Sequence, residues 1–158
     1  MKKILIVLSI SILLTSCQQI YNTYGDDVLS KKFQDIKLWH GNFSEIDNEM
    51  DIVNWIEDHV EYKETDEVQS PKKTADRGKG DCDCFSILYM NILYVRFGQK
   101  SSLCIVNTDR KIVKGGAVNH AIVRLPDGAL FDPLTDDYCE YEIGYEYSFD
   151  HVFSKKGR

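Results

Sequence analysis

Positive charge is in short supply in this sequence. Its 158 residues include 19 lysines and arginines against 25 aspartates and glutamates, a net charge of −6 at pH 7. Proteins that bind nucleic acid concentrate Lys and Arg to neutralise phosphates. The acidic balance therefore excludes nucleic acid as a partner. With 43% hydrophobic and 28% charged residues, the composition is that of a globular chain, and the length favours one domain.

A membrane-spanning apolar run is also missing. The run Ile4–Leu14 contains Ser9 and Ser11, and it is shorter than the roughly 20 residues that a transmembrane helix needs. Two lysines precede it, and Leu-Thr-Ser-Cys at 14–17 follows it. A positive start followed by a short apolar run indicates a signal peptide. The segment 14–17 resembles a bacterial lipobox, whose cysteine carries lipid and becomes the mature N-terminus.

These features predict three parts of the chain. Residues 1–16 are expected to be a lipoprotein signal peptide, 17–30 a lipidated polar tether, and 31–158 the folded domain. Loss of residues 1–16 removes two lysines and no acid, so the net charge changes from −6 to −8. The lipobox resemblance implies export and lipid anchoring through Cys17 to the bacterial cell envelope. Gln18, in place of an aspartate that signals inner-membrane retention, favours the periplasmic face of the outer membrane.

No cysteine pair has the C-x-x-C spacing that is typical of zinc sites. Apart from the lipobox cysteine, the cysteines are Cys82, Cys84, Cys104 and Cys139. Exported proteins can form disulfides, but if Cys82 is a free catalytic thiol, the pairing among the other three stays open. Cys82, Cys84 and His120 lack an obvious fourth ligand. Neither a metal nor another cofactor is therefore expected.

Apolar periodicity predicts two helices. In Ile46–Val60 the apolar residues fall on one face of a 3.6-residue repeat, and Ser44 or Asp47 is expected to cap the start. In Asp81–Phe97 they recur at steps of three and four residues, and Gly98 stands where a C-terminal cap glycine belongs. Both segments are expected to pack into the core of the domain.

The second half of the chain predicts strands. Ser102–Asn107 and Asn119–Leu125 are short apolar runs, and Ala129–Asp132 follows a turn signal. Alternating aromatic residues in Tyr138–Phe153 predict one more strand at a sheet edge. Lys63–Lys79 is polar and aperiodic, which predicts a surface loop. Helices followed by strands indicate an α+β fold, with the helix that begins near Cys82 packed on a small antiparallel sheet.

Cys82 is the first candidate for a nucleophile. A thiol at a helix N-terminus lies beside free N–H groups and the positive end of the helix dipole, both of which favour the thiolate. The N–H of Cys82 is also placed to stabilise an oxyanion. Gly78 and Gly80 allow the preceding loop to bend and leave room for a substrate backbone. The sequence does not identify a side chain that donates to the oxyanion.

The turn at 125–128 places a histidine and a carboxylate on one face. Leu-Pro-Asp-Gly favours a type I turn with a left-handed glycine, in which Leu125 pairs with Ala129. Asp132 then lies opposite Ile122, and His120 lies two residues along on the same face. Such diagonal neighbours are about 7–8 Å apart at the backbone, within reach of an imidazole and a carboxylate.

A carboxylate bonded to one nitrogen of an imidazole fixes its tautomer and leaves the other nitrogen to take a proton from the nucleophile. Cys82 as nucleophile, His120 as base and Asp132 as orienting carboxylate therefore form a complete set. Asp136 and Asp137 are the alternative carboxylates.

These motifs resemble a known family. Gly80–Phe85 opens an apolar helix, Asn119–Ala121 opens a strand, Phe131–Pro133 ends the next strand, and Asn54–Ile56 and Tyr62 lie upstream. This pattern is similar to that of the transglutaminase-like superfamily, which includes bacterial transglutaminase-like cysteine peptidases. The resemblance spans about residues 46–135. It implies a papain-like α+β core in residues 31–158 and a catalytic triad of Cys82, His120 and Asp132.

The resemblance implies a cysteine hydrolase that cleaves peptide bonds or side-chain amides of a protein or peptide substrate outside the cytoplasm. Acyl transfer to an amine would use the same site and stays an alternative. A membrane-anchored binding or scaffold module that kept the fold without catalysis is a second one. The other papain-like bacterial cell-wall endopeptidases carry D-C-S-G, which the Asp83-Cys84 that follows Cys82 does not match.

Overall fold

The computed structural model describes residues 30–65, 67–107 and 119–153, without the side chains of Asn107 and Asn119. Of two compact units, residues 1–32 contribute only a helical turn at 30–32 to the described part, and the second unit, 33–158, contains the elements below. The predicted signal peptide, Cys17 and nearly all of the tether lie outside the described residues. No helix among the described residues is long and apolar enough to cross a membrane.

The second unit has helices in its first half and strands in its second half. Its elements are α1 (Glu49–His59), β1 (Glu61–Tyr62), α2 (Pro71–Arg77), β2 (Lys79–Gly80), α3 (Cys82–Phe97), β3 (Ser102–Asn107), β4 (Asn119–Arg124), β5 (Leu130–Asp132), β6 (Asp137–Tyr138), β7 (Ile143–Tyr147) and α4 (Phe149–Val152). The main sheet has the strand order β6-β5-β4-β3-β7, and β1 and β2 form a small parallel pair. The predicted α+β class is confirmed.

Every pairing in the main sheet is antiparallel. Strands β3 and β4 form its centre and pair over their full length, from Ser102 opposite Arg124 to Asn107 opposite Asn119. Strand β7 pairs only with β3 and is therefore an edge, as the aromatic alternation predicts, although it is shorter than that pattern. The ends of β3 agree with the prediction from sequence.

Helix α3 is the core of the domain. Its residues from Cys84 to Leu93 are all buried, and a helix that is apolar all round belongs inside a protein. The hydroxyl of Ser86 donates a 3.0 Å hydrogen bond to the carbonyl of Ala121 in β4. This bond satisfies a buried hydroxyl and fixes the position of the helix along the central strand.

The segment before α1 is held against the same helix by polar side chains. The buried Asn91 of α3 accepts from the N–H of Trp39 (2.8 Å) and donates to its carbonyl (2.9 Å). Arg96 donates from Nε and Nη2 to the carbonyl of Ile46, at 3.0 and 2.6 Å. Because these bonds use backbone groups that belong to no helix or strand, they replace water as partners of the segment.

The prediction of a surface loop over Lys63–Lys79 was wrong for the second half of this segment, because α2 lies there. Ser70 caps this helix, Pro71 occupies its first turn, and Gly78 ends it in the left-handed conformation with φ of 60°. These residues are the ordinary signals of a helix start and stop. The helix has 7 residues and is too short to show an apolar repeat. Periodicity therefore could not predict it.

The N-terminal cap of α1 also differs from the prediction. Asn48, not Ser44 or Asp47, accepts hydrogen bonds from the N–H groups of Met50 and Asp51. The Asp51 carboxylate accepts in return from the N–H of Asn48. This reciprocal capping box satisfies more end groups than a single cap, which explains why the helix begins at Glu49.

We expect Asn91→Ala to lower the free energy of unfolding by about 2 kcal/mol, because both hydrogen bonds to Trp39 are lost from a buried position. Urea denaturation monitored by tryptophan fluorescence measures the change. Asn54→Ala is the matched control, because Asn54 is exposed on α1, and its effect should stay within about 0.5 kcal/mol. Equal effects of the two variants would contradict the role given to Asn91.

Candidate functional site

The hairpin between β4 and β5 has the predicted geometry. The N–H of Leu125 donates to the carbonyl of Ala129 at 2.9 Å, and that of Gly128 donates to Leu125 at 2.9 Å. Gly128 has φ of 94°, in the left-handed region. Arg124 lies opposite Leu130, which is the register expected from the turn. The predicted placement of His120 and Asp132 on one face is therefore confirmed.

His120 and Asp132 are in direct contact. The His120 Nε2 and the Asp132 Oδ2 lie 2.6 Å apart. Asp132 is 2% exposed, and its Oδ1 accepts a 3.0 Å hydrogen bond from the N–H of Leu134. Both oxygens of this buried carboxylate thus have partners. The alternative carboxylates, Asp136 and Asp137, are exposed.

Cys82 occupies the first position of α3. Asp81 caps the helix by accepting from the N–H of Cys84 at 3.3 Å, so the helix begins one residue later than the predicted Asp81–Phe97. The Cys82 thiol is free and half-buried, and it lies close enough to His120 to help raise the pKa of that imidazole. Because Nε2 of the ring contacts Asp132, Nδ1 is the nitrogen that remains for the thiol.

The helix and the central strand are joined twice at this point. Ser86 lies one helical turn after Cys82 and therefore on the same side of α3. Its partner Ala121 is the neighbour of His120 in β4. The buried Ser86–Ala121 bond thus runs beside the Cys82–His120 contact and sets the distance between helix and strand where the thiol meets the imidazole.

The charge state of His120 follows from its two partners. Burial has the largest single effect and lowers the pKa, but the hydrogen bonds and charges of Asp132 and Cys82 outweigh it and raise the pKa from 6.5 to about 9. At neutral pH the ring is therefore an imidazolium. A cation beside a thiol favours the ionised sulfur, so the arrangement can supply a nucleophile without a separate base.

The other thiols lie in the opposite environment. Burial, followed by the charge of Asp83, raises the pKa of Cys84 to about 12. Burial also raises the pKa of Cys104 and of Cys139 to about 11, with nearby carboxylates adding to the effect. These three thiols are protonated at neutral pH. Cys82 is the thiol that contacts an imidazolium.

All four described cysteines are free thiols, which answers the pairing that the sequence left open. Cys104 lies on β3, and Cys139 follows β6, three strands away in the sheet. Three spacings between strands amount to about 14 Å, whereas bridged cysteines have Cα atoms within about 7 Å. Cys84 is buried on α3 and is also a free thiol.

Gly80 has a different role from the one expected. A Cβ at this position would lie 2.5 Å from the Cβ of Cys84 and 3.2 Å from Cγ2 of Thr74. The space beside Gly80 is therefore filled by side chains of the protein and is not open to a substrate. Gly78 bends the chain as expected, with φ of 60°.

The structure does not assemble Cys82, Cys84 and His120 into one ligand set among the described residues. One atom each from Asp81, Asp83 and Cys84 lies within 4.8 Å of the others. Cys84 is a protonated thiol, and metals bind the thiolate. Acids in the first turn of a helix are stabilised by the helix dipole, so the cluster needs no ion to explain it.

Two residues of the site were missed from the sequence. The side chain of Gln69 is 1% exposed, and its Nε2 and Oε1 have no hydrogen-bond partner among the described residues. The backbone of Gln69 lies close enough to the Cys84 thiol to lower its pKa, which places Gln69 near the first turn of α3. Thr65 donates to the Asp81 carboxylate from Oγ1 at 2.9 Å and from its N–H at 3.3 Å. Both residues belong to the aperiodic segment, where no local pattern marks them.

Comparison of the chain with protein-family models, with curated proteins and with solved structures gives no match. The site is therefore described by its geometry alone. It consists of a half-buried thiol at a helix N-terminus, an imidazole beside the thiol, and a buried carboxylate bonded to the imidazole.

We expect the stability of the fold to depend on pH through His120. Because its pKa is raised from 6.5 to about 9, the protonated ring stabilises the folded state. The stabilisation, about 3 kcal/mol, is complete below pH 6.5 and is lost as the pH rises through 9. Urea denaturation at a series of pH values should show the difference between wild type and His120→Asn shrinking over this range.

His40→Gln is the control for this experiment, because His40 is exposed. This variant measures the effect of replacing a histidine that lies outside the site. A difference between His120→Asn and wild type that stays constant with pH would contradict the raised pKa of His120.

Proposed function

We propose that the chain is an exported cysteine hydrolase with a papain-like, transglutaminase-like core, which cleaves amide or peptide bonds through Cys82, His120 and Asp132. The observation that carries the proposal is the position of His120, in contact with the Cys82 thiol on one side and with the buried Asp132 on the other. A surface histidine needs neither partner, and a buried aspartate is costly unless a partner is fixed.

In the proposed reaction the Cys82 sulfur attacks the carbonyl carbon of an amide. The C–S bond forms as the carbonyl becomes an oxyanion. The His120 imidazolium then gives its proton to the amide nitrogen, the C–N bond breaks, and the amine leaves. Water, deprotonated by the now neutral His120, attacks the thioester carbon. The C–S bond breaks, the acid leaves, and the proton taken from water remains on the Cys82–His120 pair. Asp132 holds the ring in place and stabilises its positive charge throughout.

The raised pKa of His120 changes the order of proton transfers from the one expected. At neutral pH the proton is already on the ring, so His120 acts first as an acid toward the leaving amine. Its role as a base begins only with the water that resolves the thioester.

The oxyanion requires donors near the sulfur. The N–H of Cys82 belongs to the first turn of α3, whose N–H groups have no acceptor within the helix. Gln69 supplies the second donor in this proposal, because its backbone lies near Cys84 in the same turn and its buried side-chain amide has no partner among the described residues. A donor that acquires its acceptor only during the reaction contributes to the transition state alone.

The substrate in this proposal is a protein or peptide outside the cytoplasm, reached through the signal peptide 1–16 and a lipid on Cys17. Hydrolysis and acyl transfer share the thioester and differ in whether water or an amine resolves it. Water is present at every exposed site at high concentration, and the Cys82 thiol is half-buried and open to solvent. Hydrolysis is therefore the reaction that we propose.

We expect iodoacetamide at pH 6.5 to modify Cys82 at least about tenfold faster than a half-buried thiol without an imidazolium, because the thiolate is the reactive form. Mass spectrometry of each cysteine peptide measures the rates. Burial alone slows Cys104, so the decisive comparison is with His120→Asn, which leaves the exposure of Cys82 unchanged and should lower its rate to that of an ordinary thiol. Equal rates in wild type and this variant would rule out an activated sulfur.

Gln69→Ala separates oxyanion stabilisation from sulfur activation. A peptide aldehyde forms an oxyanion-bearing adduct with Cys82, whereas alkylation by iodoacetamide creates no oxyanion. We expect the variant to bind the aldehyde about 100-fold more weakly while its alkylation rate stays at the wild-type value. Gln99→Ala, at a half-buried position after α3, is the control. Unchanged aldehyde binding would remove Gln69 from the mechanism.

A further inference from the structure

The two oxygens of Asp81 serve different parts of the chain. Its Oδ1 accepts from the N–H of Cys84 and so caps α3 at 3.3 Å. Its Oδ2 accepts from Thr65, from the N–H at 3.3 Å and from Oγ1 at 2.9 Å. One carboxylate thus connects the helix that carries the nucleophile to the segment that follows β1.

The contact between Asp81 and Thr65 lies just beyond the last backbone hydrogen bond between β1 and β2. The N–H of Glu61 donates to Gly78 at 2.9 Å, and the N–H of Lys63 donates to Gly80 at 2.8 Å. Thr65 lies two residues beyond Lys63, and Asp81 follows Gly80. The side chain of Asp81 therefore adds the final contact of the ladder, at the residue directly before Cys82.

A cap alone does not require an aspartate here. Ser, Thr and Asn cap helices as well as Asp does, and a carboxylate beside a catalytic sulfur opposes its ionisation. Only a carboxylate, however, offers two acceptor oxygens, one for the cap and one for Thr65. The pKa of Asp81 is below its usual value because the hydrogen bonds of Asp83, Cys84 and Thr65 outweigh the opposing effect of burial.

We propose that Asp81 and Thr65 are positioning residues, which hold the first turn of α3 so that the Cys82 sulfur stays against His120. This inference rests on the proposed cysteine hydrolase. Cys82 lies between two fixed points, the Asp81–Thr65 contact before it and the Ser86–Ala121 bond one turn after it. Loss of the first point leaves the end of the helix free to fray, and a helix frays first at its ends.

Thr65→Val tests the proposal, because it removes the hydroxyl, which lies 2.9 Å from Asp81 Oδ2 and 3.0 Å from the carbonyl of Glu67. The variant keeps the shape of the side chain, and Asp81 keeps its charge and its cap. The rate of Cys82 alkylation by iodoacetamide is measured on the full chain between pH 5 and 10. We expect the rate below pH 7 to fall about tenfold, since a misplaced sulfur loses its imidazolium. Above pH 9, where an ordinary thiol is ionised anyway, the rate should change less than twofold.

Two further variants separate positioning from stability. Thr65→Ser retains the hydroxyl and should retain the wild-type rate. Asn48→Ala removes the cap of α1, which lies away from the site in the chain, and should lower the thermal midpoint without changing the rate below pH 7. A wild-type rate for Thr65→Val, an equal fall at all pH values, or the same fall in Asn48→Ala would overturn the positioning role. If the proposed hydrolase itself is wrong, the result is different: the rate of Cys82 alkylation in His120→Asn would then equal that of wild type.

Discussion

The contact between His120 and Asp132 requires a carboxylate to leave water, with 2% of its surface exposed. A buried charge without a partner costs several kcal/mol, so this contact forms only if the hairpin register and the backbone after β5 are both correct. The N–H of Leu134 holds one oxygen, and the imidazole holds the other. With Nε2 engaged in this way, Nδ1 of the ring is left for the thiol at the N-terminus of α3.

The position of α3 along β4 is fixed by a core contact that lies close to Cys82. Ser86 bonds to Ala121 inside the core, one turn beyond Cys82 and one residue beyond His120. A shift of α3 along β4 would break a buried hydrogen bond as well as the thiol–imidazole contact. The packing that stabilises the domain therefore also sets the geometry of the site, and the half-buried thiol needs few contacts of its own.

The parts that could be predicted from the sequence are those whose cause is local. The turn at 125–128 determines the register of β4 and β5, and apolar periodicity indicates α3 and its first residue within one position. Thr65 and Gln69 could not be predicted, since they reach the site from a polar segment whose contacts are 15 residues or so away in sequence. Helix α2 had local signals, Ser70 and Gly78, but its length left no periodic pattern to support them.

The acids that flank Cys82, the proposed nucleophile, have two opposing effects, because a carboxylate beside a sulfur opposes its ionisation, whereas a helix N-terminus is stabilised by acids. The two effects act on different thiols, because Cys84 and Cys82 lie beside different charged groups. Oxygens of Asp81 and Asp83 lie within 4.8 Å of the Cys84 sulfur, and their charge helps to raise the pKa of that buried thiol to about 12. Cys82, two residues earlier, meets the imidazolium of His120 instead. Two thiols in one helical turn thus face charges of opposite sign: carboxylates lie beside Cys84, and an imidazolium lies beside Cys82.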